Sequence, residues 1–500
     1  MTSATTDVLV VGAGPTGLML AGDLARAGVS VTVLERRAGR SNLTRAFAVH
    51  ARTLEQFDQR GVADALLETG RRVTSLRAFG RIAVTFAGLA TRFPFVLVTP
   101  QYETERVLAD RAEKLGVEIV HGAELTGLRQ DGDGVTADVR RAADQGGAGG
   151  TETWHAAYLV GTDGVHSTVR QALGLPFPGH SAVRSVMLAD VRLGESPQDV
   201  LTFNGVRDGF AFIVPFGDGW HRVIAWHRHH ELPDDAPVDM AELRQVTRAA
   251  LGTDYGMHDA RWTSRFHSDE RQARHYRVGR VFLAGDAAHV HSPAGGQGMN
   301  TGLQDAANLG WKLAAVRRGR APDGLLDSYE AERHPVGRMV LRTSGALLRL
   351  ALVGSTPMRE LRDVTVGTAA KIDAVTRRVA GTVSGIDIAY PAPRGAHPLT
   401  GRRAPDVRLT GAGTGPARLY EALRAGRFVL VTGAAATASV PLLDGWDADV
   451  DVVASAATAA TMLVRPDGYV AWATDDPDPA GVLAEATGHG RWPPAALIGR

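Results

Sequence analysis

Cysteine is absent from the 500 residues of this sequence. Its absence excludes disulfide bonds, thiolate nucleophiles, zinc–thiolate sites, iron–sulfur clusters and redox dithiols. An excess of either charge is also missing, because 54 acidic residues balance 55 basic ones. Without a net field, the sequence gives no reason to expect binding to nucleic acid or to an anionic membrane. Any chemistry must therefore use other side chains or a bound cofactor.

Long uninterrupted apolar runs are missing too. Residues 428–443 form an apolar stretch, but Gly433 and Pro441 interrupt it, and a membrane span needs about 20 apolar residues. Residues 1–7 lack the basic start of a signal peptide. The sequence predicts a cytoplasmic protein with no membrane or nucleic-acid partner, and leaves open whether it is a monomer or a homodimer.

Glycine, by contrast, is abundant, with 58 residues, and an excess of glycine often lets the backbone approach a ligand closely. The hydrophobic share of 44% is that of a globular protein. At roughly 100–200 residues per domain, the length predicts two to four domains.

The first motif is the glycine fingerprint of residues 12–17, which lies between a valine-rich strand and a helix. In such a fingerprint Gly12 allows the tight turn, Gly14 lets the backbone approach a pyrophosphate, and Gly17 lets helix and strand pack closely. Glu35 ends the next strand, where a carboxylate can accept hydrogen bonds from an adenosine ribose. This unit predicts dinucleotide binding and does not by itself separate FAD from NAD(P), although Glu35 would repel the 2′-phosphate of NADP.

The second motif is the glycine-rich stretch of residues 284–300, which follows a predicted strand and runs into a helix. At the strand end, Asp286 can hold a hydroxyl such as those of the FAD ribityl chain. The free N–H groups near Gly298 and Asn300 could stabilise negative charge on a flavin ring. One extended ligand explains two such loops better than two unrelated turns do.

The third motif, Asp163-Gly164, follows another predicted strand and opens a short helix. From the residues alone, an ordinary turn and helix start stays open as an alternative.

In their order and spacing, these three motifs resemble the single-component FAD-dependent aromatic hydroxylases of the para-hydroxybenzoate hydroxylase class. The resemblance covers nearly the whole chain and is closest to the polyketide and antibiotic hydroxylases that carry a C-terminal thioredoxin-like domain. Further matches lie at residues 44–46, 50–53, 101–105, 401–406 and 464–472.

The resemblance implies an α/β fold with an FAD-binding, Rossmann-like domain of the glutathione-reductase type, an inserted mixed β-sheet substrate domain and a thioredoxin-like C-terminal domain. The implied bounds are 1–75, 98–182 and 275–345 for the FAD domain, 76–97 and 183–274 for the substrate domain, 346–392 for a helical linker, and 393–500 for the C-terminal domain. Because cysteine is absent, that last domain is expected to serve packing or assembly.

Cofactor contacts also follow from the resemblance. Glu35 and Arg36 would hold the adenosine half of FAD, and Arg45 and Gln101 the flavin side. Asp163 would serve both FAD and NADPH. The full set of expected cofactor residues is Gly12, Gly14, Pro15, Thr16, Gly17, Glu35, Arg36, Arg45, Gln101, Leu125, Asp163, Asp286, Pro293, Gly298, Met299 and Asn300.

The implied activity is a monooxygenase that consumes NADPH or NADH together with O2 and works through a flavin C4a-hydroperoxide. The expected substrate is a bulky aromatic small molecule, such as a polycyclic polyketide or antibiotic. Baeyer–Villiger or ring-opening oxygenation of an antibiotic such as an ansamycin stays open, as do an oxygen-independent flavin dehydrogenase and a catalytically silent flavoprotein.

Three aromatic residues, Phe210, Phe212 and Trp226, are candidates for lining a substrate pocket, with the hydrophobic core as the alternative reading. No spacing in the sequence selects a catalytic base from His50, His289 and Tyr102. No metal site is expected.

Overall fold

The structure, a computed structural model, describes residues 3–40, 46–78, 82–142, 150–197, 202–206, 208–216, 218–293, 295–353, 373–410, 415–433 and 449–479. Arg45, one of the expected cofactor residues, lies outside these ranges.

The described residues form strands and helices in mixed order, as expected of an α/β protein. The strands are β1 (Ser3–Val11), β2 (Val31–Glu35), β3 (Ala48–Val49), β4 (Arg71–Val73), β5 (Ser75–Ala78), β6 (Ile82–Thr85), β7 (Val96–Val98), β8 (Glu118–His121), β9 (Ala123–Gln130), β10 (Val135–Arg141), β11 (Thr151–Gly161), β12 (Gly179–Arg192), β13 (Thr202–Val206), β14 (Gly209–Pro215), β15 (His221–His227), β16 (His258–Gln272), β17 (Arg277–Val278), β18 (Val281–Leu283), β19 (His289–Val290), β20 (Phe428–Thr432), β21 (Val450–Ala454), β22 (Thr461–Val464) and β23 (Val470–Thr474). The α-helices are α1 (Pro15–Arg26), α2 (Ala51–Asp58), α3 (Ala63–Leu67), α4 (Gln101–Lys114), α5 (Thr168–Ala172), α6 (Met240–Leu251), α7 (Gly298–Arg317), α8 (Asp327–Ala351), α9 (Asp373–Ser384) and α10 (Leu419–Ala422).

The first sheet has the core order β18-β11-β1-β2-β8, in which every neighbouring pair is parallel. Residues 8–11 of β1 and all residues of β2 and β18 are buried, as the unbroken run of apolar residues in β1 predicts. Val11 pairs with Gly161 and Gly161 with Leu283, so three strands end at the same level. The three motifs found in the sequence therefore leave one edge of this sheet side by side.

The second sheet has the order β19-β16-β12-β15-β14-β13-β5-β6 and is antiparallel except between β13 and β5. Successive side chains of β14 point to opposite faces. Ala211 and Ile213 pack against Leu243 of α6 on one face, whereas Phe210 and Val214 lie on the other.

The third sheet has the order β21-β20-β22-β23, with β20 and β21 parallel and the other pairs antiparallel. The bounds of the individual domains stay a prediction. The apolar spacing of residues 53–67 predicts a single helix, but the structure has two, because Gly61 adopts a left-handed φ of 71° between α2 and α3.

The C-terminal sheet is joined to the first part of the chain by buried charges, which the sequence does not predict. Glu332 of α8 accepts hydrogen bonds from Arg465 at 2.7 and 2.9 Å and from Lys312 of α7 at 2.9 Å. Arg465 also pairs with Asp467. We call Glu332, Arg465, Lys312, Asn308 and Asp467 the Glu332 cluster. Its side chains tie the β22–β23 turn to both long helices.

Candidate functional site

The glycine fingerprint forms a tight turn that only glycine fits. Gly12 has a φ of 107°, and a Cβ there would lie 2.6 Å from the carbonyl oxygen of Thr162. A Cβ on Gly17 would lie 2.1 Å from the carbonyl oxygen of Gly12. At Gly14, by contrast, a Cβ would meet nothing within 4 Å. The backbone is thus tightly packed at Gly12 and Gly17 and open at Gly14. A pyrophosphate has room at Gly14.

The fingerprint also supplies free N–H donors. Gly14 caps α1 and Pro15 occupies its first turn, without an acidic residue there. The N–H groups of Thr16 and Gly17 belong to this first turn, in which helix N–H groups have no partner within the helix. They are donors of the kind that bind phosphate.

Glu35 lies beside the fingerprint at the end of β2, as the sequence predicts. Its carboxylate is buried and accepts hydrogen bonds from the N–H groups of Ala13 and Arg37, both at 2.9 Å. A carboxylate has further lone pairs that can accept from a hydroxyl. Arg36 is exposed next to it.

The two glycine-rich loops touch each other at Thr16. A Cβ on Gly285 would lie 2.7 Å from Thr16 Oγ1, and a Cβ on Gly302 would lie 2.5 Å from the same atom. Two glycines thus leave the space that Thr16 fills between the start of the second loop and α7. Loops about 270 residues apart in the sequence form one continuous surface.

Asp286 lies in a short 3₁₀ turn after β18 and is exposed. The turn is held in place by α7, because Asp305 of this helix accepts hydrogen bonds from the N–H of Gly285 at 3.1 Å and from His289 Nε2 at 2.7 Å. Arg333 also donates to Asp305, at 2.7 Å. Burial alone would raise the pKa of Asp305, but Arg333 and His289 outweigh it and the pKa lies below its ordinary value. The charged aspartate holds the loop, which leaves Asp286 facing outward.

The start of α7 is held against β3 by Asn300. Its amide donates to the carbonyl oxygens of Ala48 and Gly296, both at 2.8 Å, and accepts from the N–H of His50 at 2.9 Å. Asn300 therefore positions the helix end instead of offering its side chain to a cofactor. Gly298, the first residue of α7, leaves its N–H without a partner within the helix.

His50 is neutral in this environment. Burial lowers its pKa to about 4, although hydrogen bonds to the carbonyl oxygens of Gly295 and Gly296 oppose the shift. Its Nε2 donates to the carbonyl oxygen of Gly295 at 2.8 Å. The hydrogen bond occupies the nitrogen that carries the proton, so His50 braces the second loop.

Asp163 has a structural role at the start of α5, and its expected role in cofactor binding stays a prediction. Its carboxylate accepts from Ser167 Oγ at 2.5 Å and from the N–H of Val169 at 3.1 Å, which caps α5. Burial raises its pKa above the ordinary value, against these hydrogen bonds. The third motif connects to the second through Arg170, which donates to the carbonyl oxygen of Ala287 at 2.9 Å.

Three other expected cofactor residues differ in exposure. Leu125 is buried in the core beside β10, so its side chain is not available to a ligand. Met299 is partly buried against the same core, and Pro293 is half-buried in the second loop.

Gln101, at the start of α4, accepts a hydrogen bond from the N–H of Ala46 at 3.0 Å and donates to Glu105 at 2.8 Å. The sequence reasoning missed Glu105. Burial raises its pKa to about 7, although the hydrogen bond from Gln101 opposes the shift. Glu105 lies close to Glu35 and Arg37, and its raised pKa keeps part of the Glu105 population uncharged at neutral pH. The negative charge near the expected adenosine site is therefore lower than two ionised glutamates would give.

We expect Glu105→Gln to stabilise the protein at pH 8 but not below pH 4.5. The folded chain binds the Glu105 proton more tightly than the unfolded chain, so the charged side chain costs stability above its ordinary pKa of 4.5, and the full cost is reached above about 7. The expected gain at pH 8 is about 1–3 kcal/mol, measured by denaturant unfolding across the pH range. Glu113→Gln, half exposed on the same helix, is the matched control and should show little change. A pH-independent gain for Glu105→Gln would contradict the assignment.

Beside the second loop lies a wall of aromatic side chains. Phe210 and Trp226 stack at 5.9 Å between ring centroids, and Phe212 lies 5.7 Å from Phe47. Phe47 precedes Ala48, whose carbonyl oxygen binds Asn300. The aromatic wall therefore adjoins the N-terminal end of α7. The sequence reasoning missed Arg222, a fully buried cation in this wall that pairs with Asp190 at 2.8 Å.

These features fit FAD. The open backbone at Gly14 suits a pyrophosphate, Asp286 suits a polyol chain, and the N-terminal end of α7 suits an electron-rich ring. All three lie along one surface joined at Thr16. Fold and site together define a flavoprotein.

Comparison with known proteins agrees. Residues 5–344 match the model of the FAD binding domain, and residues 397–492 match that of the aromatic-ring hydroxylase C-terminal region. A rifampicin monooxygenase of Streptomyces venezuelae is 41% identical, over 94% of this chain and 96% of that protein. The 12-dehydrotetracycline 5-monooxygenase/anhydrotetracycline 6-monooxygenase of Streptomyces rimosus is 39% identical, over 93% and 95%. The solved anhydrotetracycline hydroxylase of Streptomyces rimosus superimposes with a TM-score of 0.84 at 38% identity, covering 98% of this chain and 100% of that one.

The chain belongs to the FAD-dependent aromatic-ring hydroxylases. It is a monooxygenase that uses FAD, a reduced nicotinamide cofactor and O2. The family and the fold class predicted from the sequence are confirmed. No helix in the described ranges is long and apolar enough to cross a membrane.

Proposed function

We propose that this enzyme hydroxylates a bulky, electron-rich, polycyclic aromatic small molecule bound between the aromatic wall and the flavin. The single observation that carries the proposal is the contact between the aromatic wall and the N-terminal end of α7, through Phe212, Phe47 and Ala48. A planar polycycle stacks well on such side chains. The names of the relatives, which refer to tetracycline intermediates and rifampicin, support a substrate of this size.

The chain's own residues have binding and positioning tasks in this proposal. We assign the pyrophosphate of FAD to the turn at Gly14, the ribityl chain to Asp286, and the ring to the N–H groups at Gly298 and Met299. Bound FAD supplies hydride acceptance and oxygen activation. The wall of Phe210, Phe212 and Trp226 orients the substrate ring and excludes water from it.

The test is substrate-stimulated oxidation of NADPH by the yellow holoenzyme under labelled O2. A panel of tetracyclic and angular aromatic polyketides is screened, and products are weighed by mass spectrometry. Incorporation of one labelled oxygen atom into an otherwise intact ring system is the expected result. Insertion next to a ketone would favour the Baeyer–Villiger alternative, and turnover that persists without O2 would contradict a monooxygenase.

A further inference from the structure

A second concave site lies away from the flavin surface, between α8 and the β12–β16 strand pair. It is a groove of about 510 Å³ lined by four arginines, Arg274, Arg338, Arg342 and Arg349, together with Glu270 and Gln272. We call it the arginine groove. None of the expected cofactor residues lines it.

Three of the arginines share one face of α8. Arg338 and Arg342 are four residues apart, and Arg349 follows seven residues later, which returns to the same side of a helix with 3.6 residues per turn. Like charges four residues apart destabilise a helix. Such a stripe favours an anion that neutralises it.

Within the described ranges, no carboxylate forms an ion pair with any of the four guanidinium groups, although Glu270 lines the same groove. In the part of the chain that the structure describes, none of them forms an ion pair or hydrogen bond. By contrast, Arg277 on the next strand pairs with both Asp323 and Asp327. The arginine groove is thus a concave patch of unpaired positive charge.

Glu270 adds a second requirement for the ligand. It is 7% exposed, and its Oε1 is buried without a hydrogen-bond partner. The other carboxylate oxygen lies 3.6 Å from His180 Nε2. The close approach of α8 depends on Gly345, where a Cβ would lie 2.8 Å from the carboxylate. A buried acceptor without a donor costs stability, so the groove suits a ligand that brings a hydroxyl as well as negative charge.

A phosphorylated nucleoside has both groups. We propose that the arginine groove binds one, with a ribose hydroxyl donating to Glu270 and phosphate oxygens held by the arginines. The occupant to which we commit is the reduced nicotinamide dinucleotide, so the inference rests on the proposed function. At the third motif, Asp163 caps α5 and Arg170 binds carbonyl oxygens, which leaves neither free for this ligand. Gln272 of the groove pairs in register with His289, so the groove borders the strand that enters the flavin loop.

The test compares holoenzyme variants Arg342→Ala, Arg338→Ala/Arg342→Ala and Glu270→Gln with Arg318→Ala, an exposed arginine at the end of α7. The groove variants are expected to raise the KM for NADPH by about 10-fold or more, as expected for losing a charge-assisted hydrogen bond, with FAD content and kcat unchanged. Calorimetric titration with adenosine 2′,5′-bisphosphate, which cannot be oxidised, should show the same loss of affinity. Arg342→Lys should restore part of it.

Two further arms separate the possible outcomes. NADH tests whether the 2′-phosphate is needed, and inorganic phosphate tests whether the groove takes any small anion. Unchanged KM and unchanged bisphosphate affinity in the groove variants, or no bisphosphate binding to the wild type, would overturn the inference while leaving oxygenation intact. Bisphosphate binding that the variants weaken, in an enzyme that never oxidises NADPH, would overturn the proposed function and leave the arginine groove as a nucleotide site.

Discussion

Gly14→Ala is expected to weaken FAD binding while leaving the fold of the protein intact. The backbone of Gly14 has an ordinary φ of −75°, and a Cβ there meets nothing within 4 Å, so the apoprotein has no reason to lose stability. The methyl group would occupy the space through which a pyrophosphate approaches the backbone. Overpacking of about 1–3 kcal/mol corresponds to an FAD affinity lower by about 10- to 100-fold.

The measurement is fluorescence titration of apoprotein with FAD, accompanied by thermal unfolding of the apoprotein. Gly88→Ala is the matched control, since a Cβ at Gly88 also meets nothing within 4 Å and the residue lies outside the fingerprint. Equal FAD affinities for the two variants would show that the phosphates do not lie at this turn. A loss of apoprotein stability in Gly14→Ala would show that the turn itself is strained.

Glu332→Ala is expected to lower the free energy of unfolding by about 3–5 kcal/mol, the usual result of leaving buried charges without a partner. Arg465 and Lys312, both buried, would lose their common carboxylate. Burial alone would raise the pKa of Glu332, but Arg465 and Lys312 outweigh it, and the pKa lies well below its ordinary value of 4.5. The stabilisation is therefore present above pH 4.5 and is lost as the pH falls below it.

Denaturant unfolding at pH 7 measures this effect, and Glu113→Ala serves as the control. Glu113 also forms an ion pair, with Arg40 at 2.8 Å, but both side chains are 50% exposed, so its loss should cost no more than about 1 kcal/mol. Equal effects of the two substitutions would show that the Glu332 cluster contributes no more than a surface pair. Proteolysis adds a second measurement, because loosening the cluster should expose the β22–β23 turn.

The sequence predicts the elements around the cofactor well, because glycines and strand ends mark them locally. The sequence predicts a long helix from about residue 298 to about residue 317, which α7 confirms, and the fingerprint lies between β1 and α1 as expected. The helix predicted across residues 53–67 is wrong because a single left-handed Gly61 outweighs the apolar periodicity on either side of it.

Side-chain partners far apart in the sequence could not be predicted. No motif or spacing in the sequence links Glu332 to Arg465, since 133 residues separate them. Asp163 belongs to a motif that the resemblance links to cofactors, but its carboxylate lies close enough to Ser167 and Val169 to cap α5. The arginine stripe of α8 is visible in the sequence as a spacing, but only the fold shows that it faces Glu270 across a groove.

The common level of Val11, Gly161 and Leu283 has a consequence for synthesis. On the ribosome, the glycine fingerprint emerges early. The second glycine-rich loop and α7 are missing until α7, which ends at Arg317, has left the exit tunnel. A nascent chain shorter than this lacks part of the surface to which we assign the coenzyme. We therefore expect capture of the whole coenzyme to be a late event in translation, and flavin supply to influence the final stage of maturation more than the first.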